Sequence, residues 1–190
     1  MRRDAEGTRR RILEEATGEF ARHGIAGARV DRIAALAGCN KAMIYVYFES
    51  KDRLFDAVYD AVVVRNVADV PIDATDLPEY AARLCEQYDR YPEVARVATW
   101  DRLERDGVGV RIPAIVEAGA HKVEAIVAAQ RAGLIDDRLP AAMLLELVYA
   151  MVQTRFDSIA SVGEPPTLEQ RRAMVKEAVT RLIRPASPPV

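Results

Sequence analysis

The chain has 190 residues, of which 50% are hydrophobic and 29% charged, with a formal net charge of −2. This composition is typical of a soluble globular protein with one large or two small domains, and it excludes a disordered, fibrous or membrane-embedded chain. The cysteines, Cys39 and Cys85, and the histidines, His23 and His121, lie far apart in the sequence. They fit neither a disulfide framework, nor a zinc module, nor a Ser/His/Asp triad, so we expect no metal, no cofactor and no catalytic site.

The amino-terminal end is basic but lacks the apolar stretch of a secretory signal, and we expect a cytoplasmic location. Residues 1–55 carry a net charge of +3, and residues 56–190 carry a net charge of −5. A basic segment on an acidic body suggests a polyanionic partner for the first third of the chain, although an excess of this size also arises by chance.

Helical periodicity runs through almost the whole chain and predicts an all-α fold of about nine helices. In the first helix, Ile12, Ala16 and Phe20 form one apolar stripe, which Gly24 ends. The segment PIDATDLP at residues 71–78 has two prolines and no periodicity, so it is the best candidate boundary between regions. The helices are expected at about residues 8–23, 30–37, 41–47, from 51 onward, 79–90, 92–106, 113–132, 140–161 and 168–184.

The second and third predicted helices are short, and Gly38 between them suits the sharp turn of a helix-turn-helix. Asn40 and Ser50 are good N-caps for the third and fourth helices, and Ile44 and Phe48 are expected to face the core. The open side of the third helix then suits the major groove of DNA, although a short connecting helix with half-buried tyrosines has the same pattern. That open side consists of Lys41, Ala42, Met43, Tyr45 and Tyr47.

The stretch from Thr8 to Val58 closely resembles the DNA-binding domain of TetR-family transcriptional regulators. The rest of the chain resembles the family only in the number, length and order of its helices. The resemblance is carried by the stripe of the first helix and by Val30, Ile33, Ala34, Ala37, Gly38, Tyr45, Tyr47, Phe48 and Lys51.

This resemblance implies a homodimer that binds a palindromic operator and releases it when a small molecule occupies the second domain. We accordingly expect a helix-turn-helix domain at residues 1–53, a helical ligand-binding and dimerisation domain at 54–184, and a disordered tail at 185–190. By analogy the open side of the third helix faces DNA, with Tyr45 and Lys51 on backbone phosphates.

Four residues depart from the family pattern, and one of them, Asn40, conservatively replaces the usual Ser or Thr cap. Arg29 stands where the second helix usually begins with Thr or Ser, so a side-chain cap is lost and a cation that can bind a phosphate is gained. Met43 replaces a common Thr or Gly and either contacts a thymine methyl or lies in solvent. Cys39 replaces a common Val, and we interpret it as a small buried hydrophobe rather than a redox sensor.

The resemblance also places an effector cavity among the helices of the second domain. A pocket needs an apolar lining with a few polar anchors, and its low aromatic content favours a small hydrophobic or amphipathic effector. Each candidate lining residue also has an ordinary reading as core or surface. The candidates are Tyr88, Trp100, His121, Gln153 and Phe156.

The last two predicted helices are rich in Leu, Met and Val, with a wide apolar band. The resemblance implies that they pair with their twofold mates in a four-helix bundle, while packing within one chain is the alternative. The expected interface residues are Leu147, Met151, Met174, Val179 and Leu182.

The sequence therefore predicts a DNA-binding repressor, not an enzyme, whose partners are an operator duplex, a small effector and a second copy of itself. The rival hypothesis is a helical ligand-binding protein or enzyme without sequence-specific DNA binding. No carboxylate pair, nucleophile–base pair or phosphate loop supports it. An activator, or a regulator without a ligand, stays open at this point.

Overall fold

The computed structural model of the protein describes residues 2–105, 113–154 and 164–184. Within these residues the long elements are all α-helices and none is a strand, which confirms the predicted all-α fold. One turn of 3-10 helix, Ala74–Asp76, lies in the predicted boundary segment. The helices are α1 (Arg2–Gly27), α2 (Val30–Leu36), α3 (Lys41–Phe48), α4 (Lys51–Asp69), α5 (Leu77–Arg90), α6 (Pro92–Glu104), α7 (Pro113–Arg131), α8 (Ala141–Gln153) and α9 (Leu168–Ile183).

The largest differences from the predicted helix ends are at the start of α1 and at the end of α8. Helix α1 begins at Arg2, before the apolar stripe that defined it in the sequence. Helix α8 ends at Gln153 instead of near residue 161, because Thr154 leaves the helical backbone conformation directly after the last buried side chain, Val152. Periodicity locates the buried part of a helix better than its ends.

The chain divides into two compact units. The first unit consists of Met1–Arg65 and Glu93–Val116, and the second of Asn66–Pro92 and Glu117–Val190. This division differs from the predicted boundary at residue 53, because most of α4 and all but the first residue of α6 belong to the first unit.

The core of the first unit explains why α6 belongs to it. Val97 of α6 is fully buried in the same apolar cluster as Phe20 of α1 and Phe55 of α4. The rings of Phe20 and Phe55 meet edge to face, with centroids 5.2 Å apart. Arg105 follows α6 and pairs with Asp56 of α4 at 2.6 Å. A polar and an apolar contact therefore both attach α6 to the helix-turn-helix region.

Helix α1 is kinked at Gly24, which has a positive φ of 72°. Beyond the kink, the Ile25 and Ala26 N–H groups donate to the Glu104 carboxylate at 3.1 and 2.6 Å. The Trp100 indole N–H donates to the Ala21 carbonyl at 3.3 Å. A Cβ at position 24 would overlap the Glu104 carboxylate and lie 3.0 Å from the Trp100 ring. Glycine is therefore required here both by the backbone conformation and by the close approach of α6.

The core of the second unit is a separate apolar cluster that gathers residues of α5, α7, α8 and α9, among them Leu84, Ile126 and Leu144. Ion pairs reinforce the packing of α9 on α5, such as Lys176 with Glu79 at 2.6 Å. The two core clusters share no residue among those the structure describes.

The prediction that Val179 faces a partner subunit is corrected by this packing. Val179 has 0% exposure and lies in the core of its own chain, since α9 turns this side toward α5. A side chain without exposed surface has nothing to offer a second copy.

No helix within the described ranges is long and apolar enough to cross a lipid bilayer.

Candidate nucleic-acid interface and effector region

The turn between α2 and α3 has the geometry predicted for a helix-turn-helix. Gly38 adopts a positive φ of 65°, and the following Cys39 N–H donates to the Ala34 carbonyl at 3.0 Å. Ala34, Ile44 and Phe48 are buried in the first core cluster, as predicted. The small Ala34 side chain permits the close approach, and Ile44 with Phe48 fixes which side of α3 stays open.

Side-chain caps fix the starts of α3 and α4. The Asn40 Oδ1 accepts from the Met43 N–H at 2.8 Å, and the Ser50 Oγ accepts from the Arg53 N–H at 3.0 Å. Both predicted N-caps are thus confirmed. Each satisfies a backbone donor that a helix start otherwise leaves without a partner.

The open side of α3 carries most of the residues predicted for it. Lys41, Ala42, Met43 and Tyr45 are exposed. Tyr47 differs, because it is half-buried and packs against the first core cluster.

The sequence analysis missed Val46, which is 80% exposed and is the most exposed large apolar side chain of α3. Its spacing of one turn from Ala42 could have revealed it. An exposed valine adds apolar surface that suits a thymine methyl group.

An acidic residue also lies at this face. The Lys41 Nζ lies 3.1 Å from the carboxylate of Asp31 in the first turn of α2, and both side chains are largely exposed. The sequence analysis read Asp31 only as part of a helix. The pair holds the Lys41 amine in one place, and it also reduces the positive potential that the face presents.

Lys51 begins α4, as predicted, but its amine is already engaged. Its Nζ donates to the Ala26 and Ala28 carbonyls at 3.2 and 3.4 Å. Two residues further along α4, Arg53 is exposed and has no ion pair among the described residues. Arg53, which the sequence analysis did not single out, is therefore the freer of the two cations at this helix start.

The N-terminus of α2 is anchored by a residue from α1. Arg29 is the N-cap and makes no side-chain cap, as predicted. The buried Glu19 carboxylate compensates, because it accepts from the Arg29 N–H at 2.8 Å and from the Arg32 Nε and Nη2 at 2.9 and 2.6 Å.

Opposing influences act on the pKa of Glu19. Burial raises it, but the hydrogen bonds from the Arg29 N–H and the Arg32 guanidinium, with the charges of Arg32 and His23, together lower the pKa below its ordinary value. The charged carboxylate therefore holds α2 against α1.

Cys39 lies in the turn between α2 and α3. It is half-buried against the first core cluster, and its thiol is free. This agrees with its interpretation as a small hydrophobe.

The residues predicted to line an effector pocket are dispersed. Tyr88 and Gln153 are half-buried in the second unit, where Tyr88 packs against the core cluster. His121 is exposed on α7, and Trp100 belongs to the first unit, beside Gly24. Phe156 lies outside the described residues.

A polar group that the sequence analysis missed lies inside the second unit. Lys122, next to His121, is only 5% exposed, and its Nζ donates to the Tyr149 Oη at 2.9 Å. Consecutive helical residues point about 100° apart, so His121 and Lys122 occupy different faces. Burial lowers the pKa of Lys122. The burial of Lys122 could have been predicted from its position one turn before Ile126, on the buried face of α7.

The predicted dimer residues also fall into two groups. Leu147 and Met174 are exposed, at 40% and 51%. Met151 and Leu182 are half-buried and pack against the second core cluster. Met143, one turn before Leu147 on α8, is exposed as well and was not predicted.

A capped pair of short helices on a glycine turn, with the polar and aromatic side of the second helix open, defines a helix-turn-helix DNA-binding protein. The family described as "Bacterial regulatory proteins, tetR family" matches residues 12–58, and "Tetracyclin repressor-like, C-terminal domain" matches residues 76–181. The chain belongs to the TetR family of transcriptional regulators.

Relatives agree with this assignment. The chain is 36% identical over 189 residues to the HTH-type transcriptional repressor SCO4008 of Streptomyces coelicolor, covering 95% of this chain and 97% of the relative. It is 31% identical to the HTH-type transcriptional repressor NicS of Pseudomonas putida over 62% of this chain and 66% of that one. A crystal structure of the putative transcriptional regulator SCO4942 from Streptomyces coelicolor has a TM-score of 0.80 and 35% identity, covering 93% of this chain and 98% of that chain. Each of these relatives is a transcriptional repressor or a putative transcriptional regulator.

Proposed function

We propose that this protein is a cytoplasmic repressor that binds a palindromic operator as a homodimer and releases it when a small hydrophobic or amphipathic effector occupies the second unit. The observation that carries the proposal is the open side of α3, which is held in place by its N-cap and by buried contacts with the first core cluster. The repressors SCO4008 and NicS, similar in sequence, support the direction of regulation.

In this proposal α3 enters the major groove. Lys41, Ala42, Met43 and Val46 approach base edges, where an amine meets guanine acceptors and apolar side chains meet thymine methyl groups. Around α3, phosphates are bound by Arg29, Tyr45, Tyr47, Lys51 and Arg53. Two carbonyls already occupy two of the three N–H donors of Lys51, so one donor remains for a phosphate, and we assign the larger electrostatic share to Arg53.

The DNA proposal is tested by selecting bound sequences from a random duplex pool and measuring affinity against salt concentration. We expect an inverted repeat. Arg53→Ala lowers the salt slope by about one unit on every duplex. Lys41→Ala costs about 1–3 kcal/mol on the operator and less elsewhere, because it loses a base contact.

Arg181→Ala, which removes an exposed cation from α9, is the matched control and leaves both quantities unchanged. Absence of any preferred sequence would favour the rival function, a helical ligand-binding protein or enzyme that does not read DNA.

Two-fold recognition requires two copies whose α3 helices are about 34–36 Å apart, one turn of DNA. We propose that α8 and α9 pair across the dyad through the exposed Leu147 and Met174, joined by Met143 and flanked by Met151 and Leu182. These exposed side chains supply the apolar surface that a symmetric interface needs.

Leu147→Asp tests the dimer, because a charge in an apolar interface must be desolvated without a partner. We expect folded monomers that lose operator binding. Leu134→Asp is the control, since Leu134 is an exposed leucine of the second unit outside α8 and α9. Sedimentation that finds a full dimer for Leu147→Asp and for Met174→Asp would overturn the proposed interface.

The effector is proposed to bind within the second unit, where Tyr88 and Gln153 supply polar anchors beside the apolar core. By linkage, a ligand that weakens operator binding must itself bind less tightly in the presence of operator, by about 1–3 kcal/mol. Titration of a candidate compound with and without operator checks this. Equal affinities would exclude that compound as an inducer.

A further inference from the structure

The geometry points to an effector that carries a carboxylate, which pairs with the buried amine of Lys122 in the second unit. This inference rests on the proposed function, in which the second unit binds the effector. It adds the chemical class of the ligand and the group that recognises it.

The first observation is the isolation of the Lys122 amine. The side chain is 5% exposed, and its one hydrogen bond among the described residues goes to the neutral Tyr149 hydroxyl at 2.9 Å. No aspartate or glutamate of the described residues forms an ion pair with it, and burial alone acts on its pKa. Buried lysines without a partner are rare, because an ammonium loses its hydration and gains no opposite charge.

The second observation is a set of unused donors beside this amine. An ammonium has three N–H donors, and the Tyr149 hydroxyl takes one of them. The Tyr80 Oη is buried without a well-formed hydrogen bond within the described residues. Burial raises the pKa of Tyr80, and the nearby Tyr149 hydroxyl offsets part of that rise. Tyr80 and Lys122 thus lie close to one hydroxyl, and both have N–H or O–H donors without an acceptor among the described residues.

The third observation is the apolar setting of these groups. Tyr80, Tyr88 and Tyr149 belong to or pack against the second core cluster, and the Lys122 amine lies 5.5 Å from the centre of the Tyr149 ring. An apolar body with one acidic group fits such a site, because the body replaces water along the core while the acid meets the donors.

A monocarboxylate matches this site better than a phosphate does. The amine carries one positive charge, and a carboxylate carries one negative charge at neutral pH with two acceptor oxygens. One oxygen can accept from the Lys122 Nζ and the other from the Tyr80 Oη. A doubly charged phosphate would leave one charge without a cation.

The experiment uses benzoate, salicylate, octanoate and decanoate, each beside its uncharged primary amide. Thermal shift reports binding to the full chain, and fluorescence anisotropy of a labelled operator reports release. We expect at least one carboxylate to act at a concentration at least about tenfold below that of its amide.

Two variants locate the effect. Lys122→Met keeps the apolar stem and removes the charge, so the preference for the carboxylate over the amide disappears. Tyr80→Phe removes the second donor and reduces the preference. Lys176→Met is the control, since Lys176 is an exposed lysine of the same unit, and it keeps the wild-type preference.

A second measurement checks the uncompensated charge without any ligand. If the buried amine lacks an acidic partner in the ligand-free protein, Lys122→Met should melt at a higher temperature than the wild type. If the amine only supports the fold, the variant should melt at a lower temperature. A lower melting temperature overturns the inference, as does a carboxylate preference that survives in Lys122→Met, or a panel in which no carboxylate binds.

The outcomes separate this inference from the function on which it rests. If amides release the operator as well as carboxylates do, the carboxylate assignment fails and the ligand-responsive repressor stands. If carboxylates bind at Lys122 by thermal shift but the operator is never released, the site stands and the proposed switch fails.

Discussion

In the first unit, the buried carboxylate of Glu19 accepts three hydrogen bonds from Arg29 and Arg32. In the second unit, the buried amine of Lys122 makes one hydrogen bond among the described residues, to a neutral tyrosine. The buried side-chain atoms without a hydrogen-bond partner among the described residues are Asn66 Oδ1, Tyr80 Oη and Arg172 Nε, and all three belong to the second unit.

This difference agrees with the roles proposed for the two units. A surface that reads DNA must keep its shape, and fully paired polar groups hold one arrangement. A unit that receives a ligand must keep polar groups available, at a cost in its own stability.

Trp100, the single tryptophan, lies in the first unit, so its fluorescence follows the folding of that unit, while circular dichroism follows the helices of both units.

The largest effect is expected for Val179→Asp. The substitution places an unpaired charge in the core of the second unit and should cost about 4 kcal/mol or more. Much of the helical signal should be lost, whereas Trp100 should keep its native emission, because the two core clusters share no described residue. Loss of the native Trp100 emission at the denaturant concentration at which the helical signal is lost would show that the two units unfold together.

The second-largest effect is expected for Gly24→Ala, which destabilises the first unit. The new Cβ meets the Glu104 carboxylate and Trp100, at a backbone with positive φ, and we expect a loss of about 3 kcal/mol. Gly38→Ala is the control, because its φ is also positive but no atom of the described residues lies within 4 Å of the added Cβ. Gly38→Ala should therefore cost only about 1–2 kcal/mol in urea unfolding. Equal losses in the two variants would show that the contact with α6 adds nothing.

Glu19→Gln is expected to cost about 1.5–3 kcal/mol, because it removes the charge and keeps an acceptor. The effect depends on pH. Since the folded state lowers the pKa of Glu19 below 4.5, this stabilisation is complete above that pH and disappears as pH falls through the folded value. Unfolding measured from pH 7 to pH 3 should bring wild type and variant together at the acid end. A gap that stays constant over this range would contradict the role of the charge.

The smallest effects are expected when the same substitution is made at two lysines of the second unit. Lys176→Met breaks a half-exposed ion pair with Glu79 and should lower the unfolding free energy only slightly, because solvent screens an exposed pair. Lys122→Met should change it in the opposite direction. The same sign at both sites would remove the contrast between a paired surface lysine and an unpaired buried one.

Much of the candidate DNA interface could be predicted because its signals are local. Asn40, Ser50 and Gly38 each act on backbone within four residues, and Ile44 with Phe48 orients α3 by helical spacing alone. Tyr47 and Asp31 were harder to place. Whether a tyrosine at the edge of a helix face turns inward, or an acid reaches the neighbouring helix, depends on how two helices pack.

The all-α fold, the helix-turn-helix and its caps can be derived from the sequence, because these follow from residue types at fixed short spacings. The tertiary structure was needed to show that Glu104 holds the end of α1, across 79 residues of sequence, and that Trp100 belongs with it. It also decided which side of α9 is buried, and so moved Val179 from a predicted interface into the core. An amphipathic pattern shows that a face must be covered but not by which partner. For the same reason the pattern did not reveal Lys122, because an acidic partner would have to come from helices distant in sequence, and none of the described residues supplies one.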